Sequence, residues 1–162
     1  VFLVLEKIHL LGPHGLTSVR DVVRHPGGVG VLPVDGDHVW FVRQYRVAVD
    51  APVLEIPAGK RDLAHEPPED TARRELEEEL GLRARRLVPL GRMLPSPGYT
   101  DEVIHLFAAD GVEPGRRSPD GAEEETAEPV RIALAEALRM LDSGEIIDAK
   151  TQIALMAWAR LG

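Results

Sequence analysis

The chain has 162 residues, enough for one domain with a sizeable core, and 44% of them are apolar. Its formal charge of -8 argues against nucleic-acid binding as the main function, because affinity for phosphate backbones needs a concentrated basic surface. There is no cysteine, which excludes disulfides and thiolate metal ligands and fits a cytoplasmic protein.

The apolar opening, residues 1–5, stops at Glu6 and Lys7. It is too short to span a bilayer and no basic leader precedes it, so a first strand over 1–11 is expected and no membrane partner. The chain starts on Val1 rather than Met, which suggests that residues once preceded it. A second strand, 16–25, follows Gly12-Pro13-His14-Gly15. Gly27-Gly28 marks a turn, an apolar run begins at Val29, and Asp35-Gly36-Asp37 reads as a hairpin turn. A strand over 38–45 then places Val39, Phe41 and Arg43 on one side and Trp40, Val42 and Gln44 on the other. Residues 53–56 form a short strand that Pro57-Ala58-Gly59 ends.

A helix is expected over 68–80. Prolines at its start cost few amide bonds, and Gly81 suits the left-handed position just past its end. Strands at 87–93 and 102–108 flank the loop Pro95-Ser96-Pro97-Gly98-Tyr99-Thr100. The Gly-, Pro- and Glu-rich stretch 110–129 reads as a loop, and 130–134 returns to the sheet. Two helices follow, near 135–141 and over 150–161, the second with Ile153, Met156, Ala157 and Arg160 as its packed stripe. Several strands with two or three helices suggest an α+β or layered α/β/α fold.

The helix at 68–80 carries the chemistry. Glu75 and Glu79 lie one turn apart on one face, Glu78 is three residues from Glu75, and Ala72, Leu76 and Leu80 form the neighbouring apolar stripe. Like charges at Glu75 and Glu79 repel, and a divalent ion would remove that penalty; magnesium and manganese prefer oxygen ligands. The plainer alternative is a solvated acidic helix.

The wider pattern is more specific. It runs from Gly59 through a short loop to Glu66, then across seven residues to Arg74-Glu75-Leu76-Glu77-Glu78-Glu79-Leu80-Gly81-Leu82. It resembles the Nudix box, and departs from it only in one extra residue between Gly59 and Glu66. Further segments resemble the ADP-ribose pyrophosphatase type of that family. They are His25-Pro26-Gly27, Val42-Arg43-Gln44-Tyr45-Arg46, Leu54-Glu55-Ile56-Pro57-Ala58-Gly59, Ser96 to Glu102 and Gly144 to Thr151. Pro97, 15 residues beyond Leu82, stands at the offset of a proline associated with ADP-ribose activity.

The resemblance implies an α+β Nudix fold, an α/β/α sandwich with a mixed sheet, over the whole chain. It implies hydrolysis of ADP-ribose to AMP and ribose 5-phosphate with Mg²⁺ as cofactor and Mn²⁺ as the second candidate. Glu75, Glu79 and the Ala58 carbonyl would hold metal, with Glu78 as ligand or water-mediated partner and Arg74 and Glu66 supporting the box. A loop glutamate would act as general base, Glu124 first and Glu125 next, with Glu123 and Glu128 as further candidates. Arg43, Arg46, Glu55, Gly98, Tyr99 and Glu102 would line the substrate pocket. Relatives of this type are usually homodimers built on N-terminal strands. Rival readings are another nucleoside diphosphate sugar, such as GDP-mannose, or a non-catalytic nucleotide sensor. From the residues alone, His25 reads as a turn support, and Trp40 and Trp158 as packing residues.

Overall fold

The computed structural model describes residues 3–63, 65–119 and 125–161. Strands β1 (Val4–Leu11) and β2 (Thr17–Arg24) pair antiparallel as a separate two-stranded sheet. Its apolar side chains at Val4, Leu5, Leu10, Leu11, Leu16 and Val19 are exposed.

The larger sheet holds β3 (Gly28–Asp35), β4 (His38–Arg46), β5 (Ala51–Glu55), β6 (Ala58–Lys60), β7 (Leu82–Met93), β8 (Ile104–Pro114) and β9 (Glu128–Ala133). Its path is β5-β4-β3-β8-β7, with β6 added to β3 and β9 to β4. β3 and β8 run parallel while their neighbours are antiparallel, so the sheet is mixed. Helix α1 (Pro68–Leu80) covers one face; α2 (Leu134–Asp142) and α3 (Ala149–Ala159) cover the other.

The continuous apolar run of β3 follows from this layering, because a strand covered on both faces needs apolar residues at every position. Val29 and Val31 pack with Ala72, Leu76, Phe107 and Ala109 on the α1 side. Leu32 and Val34 pack with Phe41, Ile56, Leu106, Ala137 and Leu155 on the other. The expected helix bounds at 68–80 agree with α1, and Gly81 takes φ 64° as its cap requires.

Three expectations change. β7 starts at Leu82, not 87, because its Arg-rich opening alternates inward Leu82 and Ala84 with outward Arg83 and Arg85. Cross-strand charges hold that arm: Arg85 bonds Glu113 at 2.7 Å, and Arg86 bonds Asp110. The expected loop at 110–129 therefore loses its first residues to β8 and its last two to β9. On α3 the buried residues are Lys150, Thr151, Ala154 and Leu155, whereas Met156 and Arg160 are exposed. The true stripe starts two residues earlier, at Thr151, and steps through 154, 155 and 158, with Ile153 packed beside it.

The β3–β4 hairpin pairs over only two residue pairs, Val34 with Val39 and Asp35 with His38. The strands then part, and residues 57–60 occupy the freed edge of β3. The Val31 amide donates to the Pro57 carbonyl at 2.9 Å, and β6 pairs with Gly28–Gly30. Thus the segment that precedes α1 is built into the sheet, between the two helical layers.

Leu76 is fully buried on the helix face next to the acidic residues. Leu76→Ala should lower the unfolding free energy by about 2–5 kcal/mol, read from urea denaturation. An unchanged midpoint would show that this contact does not seat α1.

Candidate active site

Helix α1 lays two glutamates against the inserted strand segment. Glu75 is 4% exposed and Glu79 5%, although each carries an ionisable carboxyl. Burial of this kind requires local partners. The Ala58 amide donates to Glu79 Oε1 at 3.1 Å. Glu75 fills the space above Gly59: a Cβ built there would lie 1.8 Å from Glu75 Cδ. Glycine at 59 is therefore a steric requirement of the carboxylate.

Arg74 supplies the positive charge. Its Nη1 lies 2.8 Å from both Glu75 Oε1 and Glu78 Oε2, so two carboxylates converge on one cationic atom. Its Nη2 approaches Glu66 Oε2 at 3.5 Å and Asp62 at 3.9 Å. Burial acts to lower the Arg74 pKa, but the charges of Glu75 and Glu78 and the bond to Glu66 outweigh it and raise the value above the ordinary one.

The extra loop residue leaves Glu66 at the helix. Thr71 donates its hydroxyl proton to Glu66 Oε2 at 2.7 Å, and the Glu66 amide closes a turn on the Leu63 carbonyl at 3.2 Å. In that lengthened loop His65 takes the left-handed region, at φ 67°.

The two arginines of β4 separate by strand alternation. Arg43 is exposed and faces Glu128 at 3.4 Å. Arg46 turns inward and donates to Glu55 through Nε at 2.7 Å and Nη2 at 2.8 Å, a bidentate pair. Glu55 is 2% exposed and also accepts from Lys150. Burial pushes the Glu55 carboxyl up, but the Arg46 bonds and the Lys150 charge and bond together hold it below its usual range.

The loop at 95–102 meets the β1–β2 hairpin. The Val23 amide donates to the Tyr99 carbonyl at 2.7 Å, and Arg24 pairs with Asp101 at 3.0 Å and Glu6 at 2.6 Å. Tyr99 and Gly98 are exposed, and Gly98 has open space at its α-carbon. Glu102 is partly buried, with Oε1 3.5 Å from His25 Nδ1. That nitrogen accepts the Gly27 amide proton at 3.0 Å, so the turn-support reading of His25 has a direct bond behind it. Trp158 packs on the core, and Trp40 is half-buried with Arg131 stacked 5.9 Å from its ring centre.

Of the expected general-base candidates, Glu123 and Glu124 lie outside the described residues, while Glu125 and Glu128 are exposed. Sequence reasoning passed over Arg117. It donates to the Glu79 carbonyl at 2.7 Å and the Ala127 carbonyl at 2.9 Å, tying the end of the acidic loop to the last turn of α1. Only its cationic character, on a loop beyond the helix, hinted at such a use.

The NUDIX domain family matches residues 24–151. The chain belongs to the NUDIX family. It is 39% identical over 154 residues to the ADP-ribose pyrophosphatase of Bacillus subtilis (strain 168), covering 94% of this chain and 82% of that one. It is 32% identical over 153 residues to a GDP-mannose pyrophosphatase of Yersinia enterocolitica, covering 89% and 78%. Among solved structures, a crystal structure of an ADP compounds hydrolase superposes with a TM-score of 0.84 at 25% identity, over 98% of this chain and 85% of that chain.

Two measurements probe this NUDIX site. Gly59→Ala should displace the Glu75 carboxylate and abolish the hydrolytic activity proposed below, while circular dichroism stays near wild type; full activity would mean that Glu75 need not lie over residue 59. For Glu55, the folded-state pKa is depressed, so its stabilisation is complete above the ordinary value of 4.5 and is lost as pH falls through the folded value. Glu55→Gln should be less stable at neutral pH, yet lose less further stability below about pH 4.5 in acid titrations of unfolding.

Proposed function

We propose that this NUDIX protein hydrolyses the pyrophosphate of ADP-ribose to AMP and ribose 5-phosphate. The carrying observation is the buried Glu75–Glu79 pair seated on Ala58–Gly59, together with the likeness to ADP-ribose pyrophosphatases. The chain acts on a phosphoanhydride of a nucleoside diphosphate sugar; ADP-ribose is the finer assignment. The same likeness extends to GDP-mannose pyrophosphatases, so GDP-mannose is the rival substrate.

The donor chemistry fits a hard divalent cation, Mg²⁺ first and Mn²⁺ second: carboxylates of Glu75, Glu78 and Glu79 and the Ala58 carbonyl offer oxygen only. Glu75 and Glu78 already converge on a shared positive atom of Arg74. Among the described residues, no three acidic or histidine side chains form a ready-made cage. Bound cations would neutralise the diphosphate and make water a stronger nucleophile.

The chain's own residues divide the remaining work. Arg74 restrains Glu75 and Glu78, and Glu66, itself held by the Thr71 hydroxyl, restrains Arg74 from the loop side. Arg46 and Arg43 are the guanidinium groups assigned to phosphate or the adenosine side, Arg46 being oriented by Glu55. Tyr99, Gly98 and Glu102 stand on the loop assigned to the ribose or base. Glu124, or else Glu125, takes the proton of the attacking water; the proton transfer requires hydrogen-bond reach in the substrate complex.

The whole chain is assigned as one Nudix unit acting as a homodimer. The support for dimerisation is the exposure of Val4, Leu5, Leu10, Leu11 and Val19 on β1 and β2, apolar side chains that a partner copy would cover. Among the described residues, no helix is long and apolar enough to cross a membrane.

The deciding assay measures AMP and ribose 5-phosphate from ADP-ribose with and without Mg²⁺, beside GDP-mannose. Metal-dependent turnover of ADP-ribose is expected, and Glu79→Gln should lower it by about 100-fold or more. Turnover of GDP-mannose alone would overturn the ADP-ribose assignment, and nucleotide binding without turnover would favour a sensor.

A further inference from the structure

The segment 55–59 is gripped from both faces of the sheet. On one side α1 brings Glu79 to the Ala58 amide and Glu75 over Gly59. On the other, the first turn of α3 makes two side-chain contacts just before Ala58. The buried Thr151 hydroxyl accepts the Ile56 amide proton at 2.8 Å, and Lys150 bonds Glu55. Asp148 joins these contacts: it accepts from the Thr151 hydroxyl at 2.6 Å, the Thr151 amide at 3.0 Å and Lys150 at 3.1 Å.

We propose that Thr151 and Lys150 are positioning residues for the active site, clamping residues 55–58 from the face opposite α1 and so setting where Ala58 and Gly59 meet Glu79 and Glu75. Capping alone does not account for this pattern. An N-cap needs only the bond from the Thr151 amide to Asp148. The Thr151 hydroxyl instead serves as a two-way link, donating to Asp148 while accepting from a backbone amide 95 residues earlier in the chain. Lys150 likewise pairs across the same sequence distance, when a lysine in a helix's first turn would ordinarily extend into water.

The linkage has a direct mechanical basis. Ile56 is fully buried, and Pro57 restricts the backbone between it and Ala58. The Pro57 carbonyl is also fixed by the Val31 amide at 2.9 Å. A displacement at Ile56 therefore passes to Ala58 rather than being absorbed by a flexible joint. Arg46 shares the clamp, since its bidentate partner Glu55 is the carboxylate that Lys150 neutralises.

The proposal rests on the metal-dependent reading of α1 only for its second arm. In the first arm, amide hydrogen exchange is measured without metal or substrate in wild type, Thr151→Val, Thr151→Ser and Lys150→Met. Thr151→Val should speed exchange at Ile56 and Ala58 by about threefold to tenfold relative to Val31 and Leu106, and Thr151→Ser should restore it. Lys150→Met should loosen the same two amides without involving the hydroxyl. In the second arm, Mn²⁺ binding is followed by electron paramagnetic resonance, where Thr151→Val should weaken affinity about tenfold. Unchanged exchange at Ile56 and Ala58, or an equal rise at every core amide, would overturn the clamp. Local loosening with unchanged Mn²⁺ affinity would overturn its connection to the site. A wild type that binds no Mn²⁺ would overturn the metal reading and with it that connection, while the exchange result would still judge the clamp.

Discussion

Two carboxylates buried one turn apart on a single helix are electrostatically unfavourable, and the architecture around α1 answers that problem. Glu79 has an amide donor from Ala58, and Glu75 shares Arg74 with Glu78. The second is internal to α1, but the first works only if the strand segment comes within hydrogen-bond reach of the helix. That approach needs a residue without a side chain at 59, an apolar seat for Leu76 and Ala72, and an opened edge on β3. Each of these is a packing feature, yet each is required by charge.

The opened hairpin is the topological counterpart of this constraint. Had β3 and β4 paired along their full lengths, residues 57–60 would have no edge to join. Their early separation leaves β4 to pair with β5 and β9 while β3 takes β6 and β8. The site thus forms where the sheet changes partners, with helices above and below to exclude water. Backbone groups there are satisfied by strand pairing and by two specific side-chain acceptors, Glu79 and Thr151.

The legible parts of this arrangement were those governed by local rules. Pro68, Gly81 and the apolar spacing of Ala72 and Leu76 specify α1 and its buried face within a few residues of chain. The Asp35-Gly36-Asp37 turn, with Gly36 at φ 62°, is equally local. What escaped was set by distant partners. The arginines of β7 look like loop material until Glu113 and Asp110 are brought opposite them. The packed stripe of α3 is legible only at Ile153, because Thr151 and Lys150 are polar and their burial depends on Ile56 and Glu55 far back in the sequence. Glu55 shows the same limit: the resemblance puts it in the pocket, whereas its bonds join it to Arg46 and Lys150.

The division of labour in the fold follows from which elements carry which bonds. The acidic helix, Gly59 and Arg74 form a unit: the Ala58–Glu79 bond and the Arg74 pairs with Glu75 and Glu78 lie between residues 58 and 79, and the proposed chemistry directs them at a diphosphate of any kind. Residues assigned to the sugar and base stand elsewhere, on the 95–102 loop, and that loop is bonded to β2 through Val23, Arg24 and His25. A change in the hairpin's surroundings therefore acts on Tyr99 and Asp101 through short backbone and side-chain bonds, leaving Glu75 and Glu79 seated by their own contacts. On the proposed assignment, substrate choice and phosphate chemistry are held by separate bonds, so one scaffold can keep its acidic helix while its sugar and base contacts diverge.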